Sequence, residues 1–506
     1  MKFSNLEIGG FLEFLNYFGE VFSLINILTL VFGTIGGILL GAAPGLSPTM
    51  AVALLIPFTF HMPAEQGLIM LGAVYTSTIA GGAISAILLK IPGAPANIAT
   101  VMDGYPMAQN NQSKEALHYC FISSLVGGVV GIIVLIFFTP ILAKFALKFG
   151  PSEMFWIAIL GVTVIATFDS GSVSKGIFSG AFGMWIATIG TDPIIGVERF
   201  VVDPIFAGGV NIIAALVGLF AIPQVFSLIE NKLNESDIFQ MEKRKLIDSI
   251  KYNISRVKAL TVGSVVGTII GLIPGVGGQI AGLVAYDQIK KFTPTKADKF
   301  GKGEPDGIIA AESANNAIVG PSLVPLLILS VPGSPTAAVL LGGLLIHGIF
   351  PGPDLFKMHP KVVWTFIDSL LVGQFFMCIF GLYISGLAKY VLRTPVHYMA
   401  GIIVVLSIFG TYSVQNSFAD VIVMLSLGTF MFLISKLGFS AAPIVLGIML
   451  GPIAEANFIT AKLIADTQDG IIMYLLDGPI NQVMIGLCIL SIAYGLYGEI
   501  LKKKKI

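Results

Sequence analysis

The sequence predicts an all-α, polytopic helical membrane protein, and three observations lead there. First, 55% of the 506 residues are hydrophobic and only 11% are charged, whereas soluble domains carry about 25% charged residues. A water-soluble chain of this size has no interior large enough to hide so much apolar side chain. Second, Asp, Glu, Lys and Arg are missing from 21–64, 66–89, 116–143, 205–229, 259–286, 313–353, 369–388, 394–419 and 478–498. A helix needs roughly 20 apolar residues to cross the hydrocarbon core. Runs 21–64 and 313–353 have length for two passes each, and 154–168, 176–191, 421–435 and 437–454 read as partial or tilted spans. Third, no alternation of about 10-residue strands marks a membrane barrel.

The loops orient the chain. Residues 230–258 hold seven basic and five acidic residues, 290–306 hold five lysines, and the chain ends Lys502-Lys503-Lys504-Lys505. Basic residues mark the cytoplasmic side, so both loops and this end are placed inside and the Glu-bearing N-terminal segment outside. No signal-peptide pattern precedes the first apolar run. With both flanks inside, 259–289 must enter and return, yet two full spans need roughly 40 residues. Pro274-Gly275-Val276-Gly277-Gly278 near its middle therefore predicts a re-entrant hairpin or two half-helices.

The chain also repeats itself. Gly33-Thr34-Ile35 through Ala43-Pro44-Gly45-Leu46 resembles Gly267-Thr268-Ile269 through Ile273-Pro274-Gly275-Val276, and Ile91-Pro92-Gly93-Ala94-Pro95 resembles Val331-Pro332-Gly333-Ser334-Pro335. The first copy starts from the outer end and the second from the basic inner loop, the charge signature of two inverted-topology repeats. The expected organisation is a first membrane repeat at 1–229, a cytoplasmic linker at 230–258 and a second repeat at 259–506.

Broken helices near the midplane present N–H dipoles to anions. Gly45, Ser47 and Thr49, with Gly275 and Gly277, are the first candidates for substrate binding, since glycine lets backbone approach a ligand and the hydroxyls donate; Gln279 adds a further donor. The structural alternative is a proline kink lined by small residues. Ser77 and Thr78 precede the second landmark in the first repeat. Asn315 and Asn316 precede it in the second, where their side chains either coordinate a cation such as Na+, bind a carboxylate, or clamp two helices. Gly93, Gly333 and Ser334 complete the set as breaks closing the site, or as structural turns. Asp169, Asp192, Arg199, Asp203, Glu312 and Glu455 are isolated charges beside apolar runs; none is assigned a catalytic role, and Arg199 is expected to pair with Asp192 or Asp203. Lys90 is placed to snorkel to the interface.

Other classes are disfavoured. No phosphate-binding Gly-x4-Gly-Lys-Ser/Thr, His-Glu-x-x-His or Cys-x-x-Cys occurs, and the five histidines have no metal spacing. Cys120, Cys378 and Cys488 read as buried small hydrophobes. The formal net charge of zero leaves no nucleic-acid footprint. An enzyme in the membrane would need converging acid–base groups, so no enzymatic role and no cofactor are expected. A stand-alone carrier or channel stays open as an alternative.

Taken together, several stretches resemble one family, the large permease subunit of tripartite tricarboxylate transporters. They are Gly41-Ala42-Ala43-Pro44-Gly45-Leu46-Ser47-Pro48-Thr49-Met50-Ala51, Pro92-Gly93-Ala94-Pro95 followed by Ala99-Thr100-Val101-Met102-Asp103-Gly104-Tyr105-Pro106-Met107-Ala108, Phe300-Gly301-Lys302-Gly303, Glu312-Ser313-Ala314-Asn315-Asn316-Ala317, Pro332-Gly333-Ser334, His347-Gly348 with Pro351-Gly352-Pro353, and Leu446-Gly447 with Leu450-Gly451-Pro452-Ile453-Ala454-Glu455. The chain departs from the family pattern at Lys90, Pro321, Ser330 and Val202-Asp203-Pro204. The resemblance implies a multi-pass permease of the bacterial inner membrane performing ion-gradient-driven symport, with Na+ or H+ as coupling ion. It implies citrate or another organic anion as solute, and two partners: a small four-helix membrane subunit and an extracytoplasmic solute-binding protein.

The orientation has a direct test. In Gln240→Cys and Asp298→Cys variants, an impermeant thiol reagent should label both positions from the same, cytoplasmic face; labelling from opposite faces refutes the re-entrant reading of 259–289.

Overall fold

The computed structural model describes residues 14–168, 172–192, 196–230, 245–273, 277–384, 396–466 and 470–503. The sequence candidates Asp169, Pro274, Gly275 and Val276, and the labelling position 240, lie outside the described residues. The chain is a helical bundle. Among the described residues, nine helices are long and apolar enough to cross a membrane, and one further pair is bent by 70° at residue 256.

In the first half, α1 (Leu24–Ala42) is followed by the short α2 (Pro48–Thr59), the long α3 (Ala64–Leu89), the short α4 (Ile98–Gln109) and the long α5 (Ser113–Ala146). Then come α6 (Pro151–Phe168), α7 (Val173–Ala187), a two-residue β-ribbon of β1 (Gly190–Thr191) and β2 (Glu198–Arg199), and α8 (Ile212–Glu230). The second half runs α9 (Leu246–Ser255), α10 (Val257–Leu272), α11 (Gly278–Phe292), α12 (Pro305–Ala317), α13 (Val319–Leu329), α14 (Pro335–Ile346), α15 (Leu355–Met358) and α16 (Pro360–Ile384). It closes with α17 (Val396–Gln415), α18 (Phe418–Ser435), α19 (Ala441–Ala465), α20 (Ile471–Leu476) and α21 (Pro479–Lys503).

Two expectations change. Runs 21–64 and 313–353 do not each hold two crossings. The first holds one long helix and the 12-residue α2; the second holds the end of α12, α13 and the 12-residue α14. At 1.5 Å per residue, 12 residues cover about 18 Å, well short of a hydrocarbon core of about 30 Å. The segment 230–258 is also more than a linker. Its α9 docks on α5, with Asn253 donating to the Tyr119 carbonyl at 2.9 Å and His118 Nδ1 lying 3.0 Å from the Ser249 hydroxyl.

The halves share local devices. Helices α1 and α3 run parallel, because Gly33, Gly37 and Gly41 face progressively later residues of α3, namely Ala73, Val74 with Ser77, and Thr78 with Gly82. Helix α10 meets α12–α13 alike, with Gly263, Gly267 and Gly271 against Ala310, Ala314 and Ile318. Glycines four apart make one smooth face that lets backbones touch. Helices α3 and α13 both end on a left-handed residue, Lys90 (φ 61°) and Ser330 (φ 60°). Both chains then fold back, with Gly93 N–H donating to the Gly82 carbonyl and Gly333 N–H to the Ser322 carbonyl, each at 3.2 Å. Lys90 is exposed and sits 5.5 Å from the Tyr105 ring centroid.

Trp364, Tyr75, Phe121 and Phe366 are among the largest fully buried side chains, while Phe32, Phe137, Phe178 and Phe409 point outward. Such an apolar outer belt suits lipid as the solvent. A Cβ on Gly131 would come within 2.4 Å of the Ala317 carbonyl oxygen, whereas Gly36 has nothing within 4 Å. Gly131→Val should therefore destabilise the bundle by about 1–3 kcal/mol, read as a lowered Tm in detergent, while Gly36→Val should leave the Tm nearly unchanged.

Candidate functional site

Four short helices begin inside the bundle, and their starts are joined by contacts. Ser47 caps α2 by accepting from Met50 N–H at 3.3 Å, and Ser334 caps α14 by accepting from Ala337 N–H at 3.1 Å. One residue into each helix, the Thr49 and Thr336 hydroxyls meet at 2.9 Å. Each start reads Ser-Pro-Thr, Ser47-Pro48-Thr49 and Ser334-Pro335-Thr336. The proline costs nothing at a first helical position, where its missing N–H has no partner. Gly277, with φ +70°, precedes α11, and a Cβ there would sit 3.7 Å from Pro335. Farther along α11, Gly282 lies against the Ala96 carbonyl and Asn315 Oδ1, next to the start of α4.

The short helices then diverge in pairs. Helix α14 ends beside the start of α3, where His347 meets Gly67, and α2 leads into that same turn. Helices α4 and α11 run to the opposite, lysine-rich end. There Asp103 on α4 accepts from Tyr286 on α11 at 2.8 Å, and from the Gly301, Gly303 and Glu304 amides at 2.8, 2.8 and 2.9 Å. Lys296 bridges Glu304 and Asp306 at 2.9 and 3.1 Å, and Arg256 reaches Asp306 at 3.5 Å. These contacts fix where α4 and α11 start by pinning where they end.

The interior start zone carries two polar groups. One is a hydroxyl cluster: Tyr75 of α3 lies 3.0 Å from Ser334 and 3.2 Å from Ser322, with the Thr49–Thr336 pair at the same helix ends. The other surrounds Glu312 of α12, which is fully buried. Its Oε1 accepts from Asn97 Nδ2 at 3.1 Å, from Asn315 Nδ2 at 3.4 Å and from the Thr100 hydroxyl. Asn315 Nδ2 also donates to the Ala96 carbonyl at 3.1 Å. Helix starts with unpaired N–H groups, and hydroxyls that both donate and accept, can hold a carboxylate without a fixed cation.

The predicted residues fall into distinct places. Thr49 and Ser334 share the hydroxyl cluster, and Ser47 caps the helix beside it. Gly277 adjoins that cluster through Pro335. Gly45, with φ +83°, lies against Gln224 and Leu228 of α8. Gly93 and Gly333 sit where main chains cross, since a Cβ would fall 2.6 Å from the Gly41 carbonyl in one case and 2.8 Å from Ser322 Cα in the other. Ser77 packs at Gly37 of α1. Ser77 Oγ, Thr78 Oγ1, Asn315 Oδ1 and Asn316 Oδ1 are all buried without a hydrogen-bond partner. Asn316 Nδ2 reaches the Glu312 carbonyl at 3.4 Å. Sequence reasoning gave no role to Asn97, Thr100, Ser322 and Thr336. The duplicated Ser-Pro-Thr was a readable signal for Thr336, and Thr100 lies in a stretch that carries the family resemblance; no local signal marked Asn97.

A concavity of about 440 Å³ lies between the β-ribbon, residues 207–212 and α19, lined in part by Thr191, Asp192, Arg199, Gly209 and Glu455. Arg199 pairs with Asp192 at 3.3 Å, as expected, but its second partner is Glu455, in a two-pronged contact. The hydrogen bond that Arg199 donates to Glu455 raises the Arg199 pKa above its ordinary value. Asp203 instead caps a turn by accepting from Ile205 N–H at 3.0 Å. With both acids engaged, Arg199 pins the ribbon to α19 and presents no spare positive charge to an anion.

Residues 27–446 match the family described as Tripartite tricarboxylate transporter TctA family. The chain is 31% identical over 504 residues to an uncharacterized 52.8 kDa protein in the TAR-I ttuC' 3' region of Agrobacterium vitis, covering 99% of this chain and 97% of that protein. It is also 31% identical over 238 residues to an uncharacterized protein in the TAR-II ttuC' 3' region of the same organism, covering 47% of this chain and 97% of that relative. A match across most of the chain, together with a helical bundle carrying nine candidate spans among its described residues, makes this protein a multi-pass membrane member of the tripartite tricarboxylate transporter TctA family.

Proposed function

We propose that this chain is the large permease of a tripartite uptake system in the bacterial inner membrane, carrying a tricarboxylate such as citrate or a related organic anion. The observation that supports this most is the meeting of interior helix starts around Thr49, Thr336, Ser334 and Tyr75. Backbone dipoles and neutral hydroxyls bind an anion while costing less desolvation than a buried cation would. Gly45, Ser47, Gly275 and Gly277 are the main-chain part of this reading, and Gly93 and Gly333 close it by fixing the fold-backs.

In this reading an extracytoplasmic solute-binding protein delivers the solute, a small four-helix membrane subunit accompanies the permease, and symport with Na+ or H+ drives uptake. The unpartnered oxygens of Ser77, Thr78, Asn315 and Asn316 are the places to seek Na+, which takes oxygen ligands. The matched glycine faces and fold-backs of the two halves, entered from opposite ends by the loop charges, support inverted repeats that rock against each other to alternate access. The family points to a carrier and not an enzyme.

Uptake by vesicles containing the permease, small subunit and binding protein tests the proposal, with carboxylates scanned under separate Na+ and H+ gradients. Thr49→Val and Thr336→Val should each weaken apparent solute affinity by about 2- to 10-fold, the loss of one buried hydrogen bond. Gly275→Val should abolish uptake while the protein still inserts. Normal uptake in all three variants would remove the helix-start site.

A further inference from the structure

The second interior group is built around an acid with no positive partner. We propose that Glu312 is a proton-binding site at the centre of the carrier, and that a proton, not a metal ion, neutralises it when the solute anion is aboard. This rests on the transport reading above and names the coupling group within it.

The argument begins with what surrounds the carboxyl. Glu312 is fully buried, and among the described residues no Lys, Arg or His forms an ion pair with it. An ionised carboxylate so placed is held by neutral donors alone, which is expensive at membrane depth. Those donors are unevenly distributed. Oε1 takes Asn97, Thr100 and Asn315, whereas Oε2 has the Ser124 hydroxyl at 3.5 Å, and the Cys120 thiol also bonds to the carboxyl.

The amide orientations follow from their other partners. Asn97 Oδ1 accepts from Ala94 N–H at 3.3 Å, which turns Asn97 Nδ2 towards the Ile79 carbonyl and Glu312. Asn315 Nδ2 is likewise fixed by the Ala96 carbonyl. The side chain therefore meets N–H hydrogens from two directions. A metal cation at Oε1 would face those positive hydrogens. A proton bound at the other oxygen avoids them. It adds to Oε2, which becomes an O–H donor with Ser124 Oγ as acceptor, and Oε1 keeps its three bonds. One O–H bond forms on loading and the same bond breaks on release; the Ser124 hydroxyl turns from donor to acceptor, and no other covalent bond changes.

Position supplies the coupling. Asn97 immediately precedes α4, and Thr100 lies in its first turn, so the ionised carboxylate occupies one of the interior helix starts as a resident anion. The hydroxyl cluster at α2 and α14 has no such resident acid. While Glu312 is charged, its field opposes a second anion nearby. Protonation removes that repulsion, so proton and solute are favoured together.

Few other titratable groups face this carboxyl. The Cys120 thiol on α5 lies beside it. Helix α5 carries Lys114, Glu115 and His118 near its start. Asp103 on α4 and Tyr286 on α11 are bonded to each other. Asp287 and Lys291 of α11 pair together, and Lys258 of α10 is bonded to the Phe292 carbonyl. Tyr75 on α3 belongs to the hydroxyl cluster, and Lys90 ends that helix at the exposed surface. Glu304 and Asp306, at the start of Glu312's own helix, are paired to Lys296. Asp368 on α16 is the rival proton site: it is fully buried and neither oxygen has a partner.

Two measurements test the proposal on the full-length protein. Infrared difference spectra of the purified chain across a pH titration should show a protonated-carboxyl C=O band that disappears in Glu312→Gln and persists in Asp368→Asn. Thr100→Val, which removes a hydrogen bond from the group, should move that band to higher frequency. In vesicles, uptake by the wild type should rise several-fold under an inward proton gradient, and Glu312→Gln should lose that response. A band and gradient response unchanged in Glu312→Gln, or lost only in Asp368→Asn, overturns the assignment. The band needs no solute: its presence in a protein that takes up no carboxylate would sink the transport reading and leave Glu312 standing.

Discussion

A main chain broken inside a membrane must satisfy its own N–H and C=O groups, because hydrocarbon offers no water to do it. The architecture follows from how this chain meets that demand. At each break after a long helix, the freed glycine amide bonds back to a carbonyl of the helix just left, Gly93 to Gly82 and Gly333 to Ser322. At the starts of α2 and α14, serine side chains take up helix N–H groups. The remaining amides at a helix start have no partner within the helix itself.

Close packing makes those bonds possible. The main chains at the fold-backs come near enough only because glycine stands at Gly41, Gly82, Gly93, Gly271 and Gly333. A methyl group at several of these would enter van der Waals contact with backbone, which cannot move aside as a side chain can. Glycines that resemble ligand-binding glycines in a sequence are thus partly committed to packing. Gly93 and Gly333 are buried crossings, whereas Gly45 and Gly277 have positive φ at the tips themselves.

Polar groups divide the interior by charge. At the lysine-rich end, Asp103 is fully supplied with donors and serves as a latch between α4 and α11. In the middle, Glu312 takes most of its donors on one oxygen, and the Tyr75, Ser322 and Ser334 hydroxyls lie together. At the far end, Lys361 pairs with Glu20 at 3.0 Å and the Arg199 group anchors the β-ribbon. The ends are fixed by ionic contacts and the centre by neutral ones.

Much of this was legible in the residues. Uncharged runs marked most of the candidate spans, because lipid punishes unpaired charge regardless of tertiary detail. Paired Pro-Gly motifs determined that helices break twice in each half, because proline removes a donor and glycine tolerates the turn. Spacing could not say that 313–353 would hold short helices where two crossings also fit, nor that Arg199 would reach Glu455, more than two hundred residues away. Nor could it join Thr49 to Thr336, or bring Asn97 and Thr100 to Glu312. Composition and local geometry act along the chain, and the sequence carries them openly; a buried polar network depends on which helices lie side by side, and only tertiary packing decides that.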